Sequence, residues 1–310
     1  MRGRYDPIVL TAALTGGDVF ASQSSSIPCG ARAIIDEAVA AAHAGATCVH
    51  IHGREEADGR PSGDAELLTE IVAGIRQRSD VVINLSTGGS PGMTEEERYA
   101  GLRAAKPDIA TFNLGTMNYE LFPIKSRWPQ TEVAWERKCL EQTGETVFLS
   151  TLGMMRRLAA ICRDIGITPE LEAYDTGHLA MARFLLDEGT LEGPVRVQLV
   201  LGVLGGASNA LEDLFMMLQA AERTLGPLLG SLGVAATGYP MEFRHCAAAL
   251  GSGMDCRVGL EDNLRVQRAT RARSNAELIE VVVQLASLLG RPIAKPQELR
   301  QKLGPWRRPE

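Results

Sequence analysis

The chain is best understood from the stretch Val49-His50-Ile51-His52-Gly53-Arg54-Glu55. This stretch is typical of a short apolar strand, and it carries two imidazoles two residues apart. Side chains at positions i and i+2 of a strand project from the same face, so His50 and His52 can bind one metal ion. In the alternative interpretation, one histidine is buried in the core and the other faces solvent. The other strand ends must decide between the two.

Composition limits the classes of protein to consider. The 310 residues are 45% hydrophobic and 23% charged, as in a globular protein with a sizeable core. The net charge of −6 argues against a nucleic-acid partner. The six cysteines form no CxxC pair, and neither a signal segment nor a long apolar run occurs. We therefore expect a reduced, cytoplasmic protein without a membrane partner.

Strand and helix patterns alternate along the chain. The predicted strands cover 8–14, 47–52, 81–86, 109–113, 171–174, 195–201, 232–236 and 255–260. The predicted helices cover 30–44, 64–78, a segment that starts after the capping-box residue Thr94, 152–165, 177–188, 208–224, 241–251 and 274–289. Eight such pairs predict an α/β fold, a (β/α)₈ TIM barrel, which usually needs about 250 residues. The alternative is a doubly wound sheet, but Thr15-Gly16-Gly17-Asp18 does not match its GxGxxG fingerprint.

One long segment interrupts this alternation after the fourth strand. Residues 114–150 contain two prolines and several aromatic residues, and only a short helix near 134–142 is predicted there. An insertion of this length is usually functional, as a lid or as an interface arm. We predict a single domain, 1–310, with this insertion and a C-terminal tail at about 291–310. The insertion and the end of the tail, 304–309, are candidate interface arms.

The predicted strand ends differ in their chemistry. In a TIM barrel the active site gathers at the C-terminal ends of the strands. Seven of those eight ends carry reactive or hydrogen-bonding side chains: Asp18; His50 and His52; Ser86 and Thr87; Thr111 and Asn113; Glu172, Tyr174 and Asp175; Gln198; Glu261 and Asp262. The N-terminal ends mostly carry ordinary linker residues such as Asp80, Asp108 and Pro194. Core packing does not require this asymmetry, so it indicates an active site.

A carboxylate is the best candidate for a third metal ligand. Glu261 and Asp262 are consecutive at the end of the last strand, so one can bind a metal while the other faces substrate. The remaining histidines, His43, His178 and His245, are explained by solvent exposure or by their places in helices. Two histidines and one carboxylate with an open position form a common catalytic zinc set. They also match the facial triad of non-haem iron enzymes, so spacing alone leaves the metal undecided.

The motifs together resemble those of the β-keto acid cleavage enzymes, a family typified by 3-keto-5-aminohexanoate cleavage enzyme. The matching segments run in order over nearly the whole chain: 10–16, 49–55, 84–89, 110–113, 169–175, 198–203 and 257–263. The most specific are the His50-Ile51-His52-Gly53-Arg54-Glu55 segment and Arg257-Val258-Gly259-Leu260-Glu261-Asp262-Asn263. The resemblance implies an acyltransferase that exchanges acyl groups between a β-keto acid and acetyl-CoA, giving acetoacetate and a new acyl-CoA.

The resemblance also implies roles for individual residues. His50, His52 and Glu261 would hold zinc, and Asp262 would be the base, oriented and kept ionised by Arg257. A divalent ion on the keto oxygen would stabilise the enolate that forms when the base removes a proton from C2. The enolate would attack acetyl-CoA, CoA would return to the keto carbon, and a retro-Claisen cleavage would release acetoacetate.

Substrate contacts are expected at the ends of the first, third and fourth strands. Ser86, Thr111 and Asp18 are implied by the resemblance, and Asn113 is a further candidate. The exposed amides of Thr87-Gly88-Gly89 can hold the substrate carboxylate, although a purely structural turn is the alternative. The amino-substrate enzyme has Glu where this chain has Asp18. An acid there suits a cationic tail, such as the ammonium of 3-keto-5-aminohexanoate or the trimethylammonium of dehydrocarnitine.

Other interpretations stay open at this point. A metal-dependent aldolase would use the same metal without CoA, and an amidohydrolase-like hydrolase would need further histidines at later strand ends. A metal-binding barrel without catalysis would not need Asp262, Arg257 and Ser86. The turn Gly202-Val203-Leu204-Gly205-Gly206 either meets CoA phosphates at a helix N-terminus or is a packing turn. Relatives form homo-oligomers, so we expect a dimer or a tetramer.

Overall fold

Eight parallel strands form a closed barrel in the computed structural model, which describes residues 6–89, 93–128 and 131–303. Each strand pairs with the next one in the chain, and β8 pairs with β1. Strands β1 to β8 span Leu10–Ala13, Cys48–Ile51, Val82–Leu85, Ile109–Asn113, Thr168–Ala173, Val195–Leu201, Leu229–Ala236 and Asp255–Val258. The predicted (β/α)₈ barrel is confirmed.

A helix follows each barrel strand and packs on the outside. Helices α1 to α8 span Gly30–His43, Ala65–Arg78, Glu95–Ala105, Leu152–Ile165, Thr176–Asp187, Leu211–Leu225, Met241–Ser252 and Asn275–Leu288. Helix α6 begins three residues later than predicted, because Ser208 donates two hydrogen bonds to the Asp213 carboxylate and closes a turn first. Among the described helices, none is both long and apolar enough to span a membrane.

The barrel interior contains a buried polar layer. The Glu170 carboxylate on β5 accepts a hydrogen bond of 2.7 Å from Asn84 Nδ2 on β3 and one of 3.1 Å from Arg196 Nη2 on β6. Strands β3 and β5 are not neighbours in the sheet, so this contact crosses the inside of the barrel. The remaining core is apolar and lies between the strands and the helices.

The described part of the C-terminal tail closes the N-terminal end of the barrel. Helix α9, Pro296–Lys302, buries Leu299 against residues at the starts of four strands: Val9, Cys48, Val82 and Ile109. Arg300 donates to the carbonyl oxygens of Asp80 and Val81. The predicted interface arm at 304–309 lies outside the described residues.

The predicted insertion is present between β4 and α4. Met117–Asn118 and Val147–Phe148 pair as short antiparallel strands at its base, and the predicted helix is found at Ala134–Gln142. A second helix, Phe122–Arg127, was not predicted. Glu136 is fully buried and accepts hydrogen bonds from the N–H and hydroxyl of Ser22 in the loop after β1. The insertion is thereby fastened to the barrel rim.

Candidate active site

A cavity opens at the C-terminal end of the barrel, where the sequence predicted it. Most of its lining comes from the predicted strand ends: Asp18, His50, His52, Ser86, Gly88, Asn113, Glu172, Tyr174, Arg257, Glu261 and Asp262. The insertion contributes Tyr119 and Phe148, and β6, β7 and their loops contribute Val200, Val203 and Thr237. The structure therefore brings together residues that are separated by more than 200 positions in the sequence.

Three side chains in this cavity have the geometry of a metal site. His50 Nε2 and His52 Nε2 are 3.2 Å apart, and each lies 3.4 Å from an oxygen of Glu261. Ligand atoms at about 2.0–2.1 Å from a tetrahedral zinc ion are separated by about 3.3 Å, which matches these distances. Among the described residues, no other group of three or more His, Cys, Asp or Glu side chains brings its potential ligand atoms this close together.

The electrostatics of this group also suit a cation. Glu261 Oε2 is buried without a hydrogen-bond partner among the described residues, and an anionic oxygen in that position is costly unless a cation binds it. Burial lowers the pKa of His50, which keeps the imidazole in the neutral, metal-binding form. The donor set therefore fits a divalent metal such as zinc.

Arg257 separates the roles of the two consecutive carboxylates. It lies 2.7 Å from Glu261 Oε1, and its Nε and Nη2 atoms donate to the two oxygens of Asp262 at 2.8 and 3.0 Å. Burial raises the pKa of Asp262 above its usual value even beside this guanidinium. Burial also opposes ionisation of Glu261, but Arg257 and the two histidines hold its pKa well below the usual value. Glu261 thus stays ionised as a ligand, while Asp262 is the more basic group.

The loop that carries both carboxylates is held by residues without predicted roles. Glu242 on α7 is fully buried and accepts hydrogen bonds of 2.9 Å from Gly259 N and Asn263 Nδ2. A Cβ atom at position 259 would lie 2.1 Å from the carbonyl oxygen of Ala13, so only glycine fits there. Gly259 and Asn263 belong to the predicted motif, but Glu242 has no local sequence signal that marks its role.

The turn after β3 differs from the prediction in its detail. Ser86 and Gly88 line the cavity, as expected for substrate contacts. Thr111 instead lies beneath the turn, where its hydroxyl accepts a 2.8 Å hydrogen bond from Thr87 N. The Thr87 hydroxyl in turn donates to the carbonyl oxygen of Thr111. Gly88 N donates to Ser86 Oγ at 3.1 Å. The amides of Thr87 and Gly88 are therefore not available to a carboxylate, and Thr111 positions the turn.

Glu172 and Tyr174 lie at the C-terminal end of β5. The sequence predicted that they lie at a strand end but assigned no role to either of them. The Tyr174 hydroxyl lies 3.1 Å from Glu172 Oε2 and 3.2 Å from Asn113 Oδ1. Burial raises the pKa of Glu172 to about 7. The Asn113 Nδ2 atom is buried and has no partner among the described residues, so it is a free donor in a residue that lines the cavity.

The loop after β1 places Asp18 in the cavity. Arg54, from the histidine motif, is completely buried and donates to the carbonyl oxygens of Thr15, Gly16 and Val19 at 3.1, 2.9 and 2.5 Å. Burial raises the pKa of Asp18, and the Tyr119 hydroxyl donates a hydrogen bond to its Oδ2 atom. Sequence reasoning missed Tyr119 because it lies in the insertion, where no periodic pattern indicates its direction.

Two alternatives lose support from these positions. Gly205 has φ of +111°, and a Cβ atom there would lie 1.8 Å from the Asn118 carbonyl oxygen, so the turn at 202–206 packs against the insertion. His178 Nδ1 accepts from Tyr174 N at 3.2 Å, and His245 Nδ1 lies 2.9 Å from Met241 O. Among the described residues neither histidine joins the metal group, as an amidohydrolase-like site would require.

This fold and site define a class of enzyme, namely TIM barrels with a candidate metal-binding group beside a basic carboxylate at the C-terminal rim. Residues 7–304 match the family model of the β-keto acid cleavage enzymes, and the chain belongs to that family. The predicted family and the predicted enzyme class, an acyltransferase of the β-keto acid cleavage type, are confirmed.

Several relatives align over almost their whole length. The chain is 35% identical to a 3,5-dioxohexanoate:acetyl-CoA acetone transferase of Paraburkholderia graminis, over 96% of this chain and 95% of the relative. It is 34% identical to a 3-dehydrocarnitine:acetyl-CoA trimethylamine transferase of Rhizobium meliloti, over 96% of both. A 3-keto-5-aminohexanoate cleavage enzyme of Acetoanaerobium sticklandii is 32% identical, over 96% of this chain and 98% of the relative.

A solved structure shows the same fold. ObcA in a binary complex with oxaloacetate superposes with a TM-score of 0.68 at 20% identity, covering 91% of this chain and 68% of ObcA. At this level of identity the likeness supports the barrel architecture only.

Proposed function

We propose that the protein is a zinc-dependent β-keto acid:acetyl-CoA acyltransferase. It transfers the acyl group of a β-keto acid to CoA and joins the remaining two carbons to the acetyl group of acetyl-CoA. The products are acetoacetate and a new acyl-CoA. The bond between C2 and C3 of the β-keto acid breaks, and a bond between that C2 and the acetyl carbonyl carbon forms.

One observation carries this proposal, namely the arrangement around Arg257. The guanidinium contacts the proposed ligand Glu261 and the proposed base Asp262 at once. The base is therefore held beside the metal group at a fixed distance, and its raised pKa suits the removal of a carbon-bound proton. A metal held by His50, His52 and Glu261 would supply Lewis acidity toward the keto oxygen.

The protein's own groups then have distinct tasks. Asp262 takes a proton from C2 of the β-keto acid and returns one after cleavage. Ser86 binds the substrate carboxylate at the turn after β3. The free Asn113 Nδ2 donates to the oxygen that gains negative charge when the acetyl carbonyl is attacked. In this proposal Thr111 acts through Thr87, by holding the turn.

The substrate is proposed to have a cationic tail. Asp18 lines the same cavity as the metal group, and its burial makes an unpaired negative charge costly. A positively charged tail, such as an ammonium or a trimethylammonium, would compensate that charge. The names of two relatives contain substrates of this kind, 3-keto-5-aminohexanoate and 3-dehydrocarnitine.

Isotope tracing together with metal analysis tests the proposal. Purified protein is assayed for metal content and is then incubated with acetyl-CoA and a β-keto acid labelled with ¹³C at C2. We expect about one zinc per chain and the label at C2 of acetoacetate. Cleavage without acetyl-CoA would identify an aldolase instead, and label in the acyl-CoA would contradict the proposed bond changes.

A further inference from the structure

We propose that Tyr119 is a specificity-determining residue: its hydroxyl occupies one oxygen of Asp18 and so favours β-keto acids whose cationic tail has no N–H donors. A quaternary ammonium is such a tail, whereas a primary ammonium is not. The inference rests on the proposed function, because it assumes that Asp18 faces the tail. It adds a residue of the insertion to the determinants of substrate choice.

Tyr119 is held in a fixed position by the base of the insertion. It follows the short strand Met117–Asn118, and its N–H donates to the Thr146 carbonyl oxygen at 3.2 Å. Beyond it, Leu121 and Leu140 pack with Phe20 of the loop after β1 in a small apolar cluster. Tyr119 is therefore anchored on both sides, and it lies in the cavity wall.

Hydrogen-bond capacity explains the selectivity. The Tyr119 hydroxyl donates to Asp18 Oδ2, which uses part of the acceptor capacity of that oxygen and leaves Oδ1 as the less occupied acceptor for a ligand. A primary ammonium brings three N–H donors, and each donor that loses its water without a new acceptor is costly. A trimethylammonium has no such donors, so it gains from the negative charge without that penalty.

The other walls near Asp18 are aromatic. The Tyr119 and Phe148 ring centroids are 6.2 Å apart, and those of Phe148 and Tyr174 are 6.4 Å apart. The Tyr174 hydroxyl is already within hydrogen-bonding distance of Glu172 and Asn113. Aromatic faces attract methylated cations. The Arg98 guanidinium already lies 5.2 Å from the Phe148 centroid, so in this proposal the attraction is assigned to the Tyr119 and Tyr174 rings, which line the same cavity as Asp18.

The experiment compares two probes that differ only in methylation. Carnitine and 4-amino-3-hydroxybutyrate are β-hydroxy acids, which the retro-Claisen reaction cannot cleave, and their binding is measured by calorimetry on the metal-loaded protein. We expect the wild type to bind carnitine more tightly. Tyr119→Phe keeps the ring but frees one Asp18 oxygen, so the preference should shift about tenfold toward the primary ammonium, the size of one charged hydrogen bond.

A ratio is the proper readout because other effects cancel in it. Any change in the charge of Asp18 alters the coulombic attraction of both probes similarly, because each carries one positive charge, and all the variants are compared at one pH. The control variant is Tyr99→Phe, which removes a hydroxyl from a buried tyrosine on α3 outside the cavity lining and should leave the ratio unchanged. A shift of less than twofold in Tyr119→Phe would overturn the inference.

A second variant separates this inference from the proposed function. Asp18→Asn should weaken both probes at least tenfold, since both rely on the carboxylate charge. If Asp18→Asn binds both probes like the wild type, or if the wild type binds neither, the proposal that Asp18 binds a cationic tail is wrong. The inference about Tyr119 is then wrong as well. A normal binding pattern without ¹³C transfer into acetoacetate would reject the acyl exchange alone. With the matching β-keto acids, Tyr119→Phe should change KM rather than kcat.

Discussion

Two buried polar regions of the barrel, its interior and its C-terminal end, differ in the hydrogen-bond partners of their polar groups. In the interior, the Glu170 carboxylate receives hydrogen bonds from Asn84 and from two nitrogens of Arg196. At the C-terminal end, Glu261 Oε2 and Asn113 Nδ2 are buried without a hydrogen-bond partner among the described residues, and the nearest charged contact of Oε2 is His50 Nε2 at 3.4 Å. The first region pairs the charged groups Glu170 and Arg196 with each other, and among its described atoms the neutral Asn84 Oδ1 has no hydrogen-bond partner. The second region leaves an anionic oxygen and an amide donor for a ligand at the cavity.

Function and stability depend on different parts of this fold. Buried groups with unsatisfied bonds and shifted pKa values are typical of binding and catalytic sites. The N-terminal end of the barrel shows the opposite design, because Leu299 on α9 seals it with apolar contacts. Changes at the C-terminal end should therefore alter chemistry, and changes elsewhere should alter stability.

The largest effect is expected for Asp262→Asn. The variant keeps the shape of the side chain but cannot accept the proton from C2, so kcat should fall by about 10²–10⁴-fold. Metal content and Tm should stay close to the wild type. Asp164→Asn, at an exposed surface position, is the matched control and should be fully active. More than half of the wild-type kcat in Asp262→Asn would exclude it as the base.

Glu261→Gln should weaken the metal site next. It replaces the proposed anionic ligand by a neutral amide. The loss of metal affinity should exceed the roughly 10–100-fold that is typical when a residue hydrogen-bonded to a metal ligand is replaced. A titration with a competing chelator measures this affinity. Added zinc should restore part of the activity of Glu261→Gln but none in Asp262→Asn. Unchanged zinc affinity would remove Glu261 from the ligand set.

Leu299→Ala should act on stability alone. Leu299 is fully buried, and the cavity left by its side chain should lower the free energy of unfolding by about 2–5 kcal/mol. Urea denaturation measures this change, and kcat at 25 °C should be unaltered. Leu288→Ala, at a position 84% exposed, is the matched control with little expected effect. If Leu299→Ala kept its stability but had a low kcat, the two ends of the barrel would not differ in function as proposed.

The smallest effect concerns the pH dependence of stability. The Glu172 carboxyl has a pKa of about 7 in the folded protein, above the value of about 4.3 expected when unfolded. Between these values the folded state binds the extra proton, so the free energy of unfolding falls as pH rises. In metal-free protein, the loss from pH 5 to pH 7 should be smaller in Glu172→Gln by about 2 kcal/mol. An equal loss in both proteins would show that Glu172 does not titrate there.

Much of the fold was predictable because each barrel strand is a local apolar run. The insertion was not, since strands of two residues have no periodicity and Glu136 depends on Ser22, 114 positions away. Thr111 shows the same limit in the site. Its place at a strand end was predicted, but its hydrogen bond to Thr87 N depends on the neighbouring strand. The expected homo-oligomer stays a prediction.

The barrel, the family and the chemical types at the rim could be predicted without coordinates, because they follow from local patterns and motifs. Which of those groups meet depends on the folded structure. Arg257 joins Glu261 to Asp262 within one strand end, but Glu242 comes from the helix before that strand and Tyr119 comes from the insertion. The physical reason is that hydrogen bonds and burial depend on distance in space, and the pKa values of Asp18, Glu172 and Asp262 depend on both.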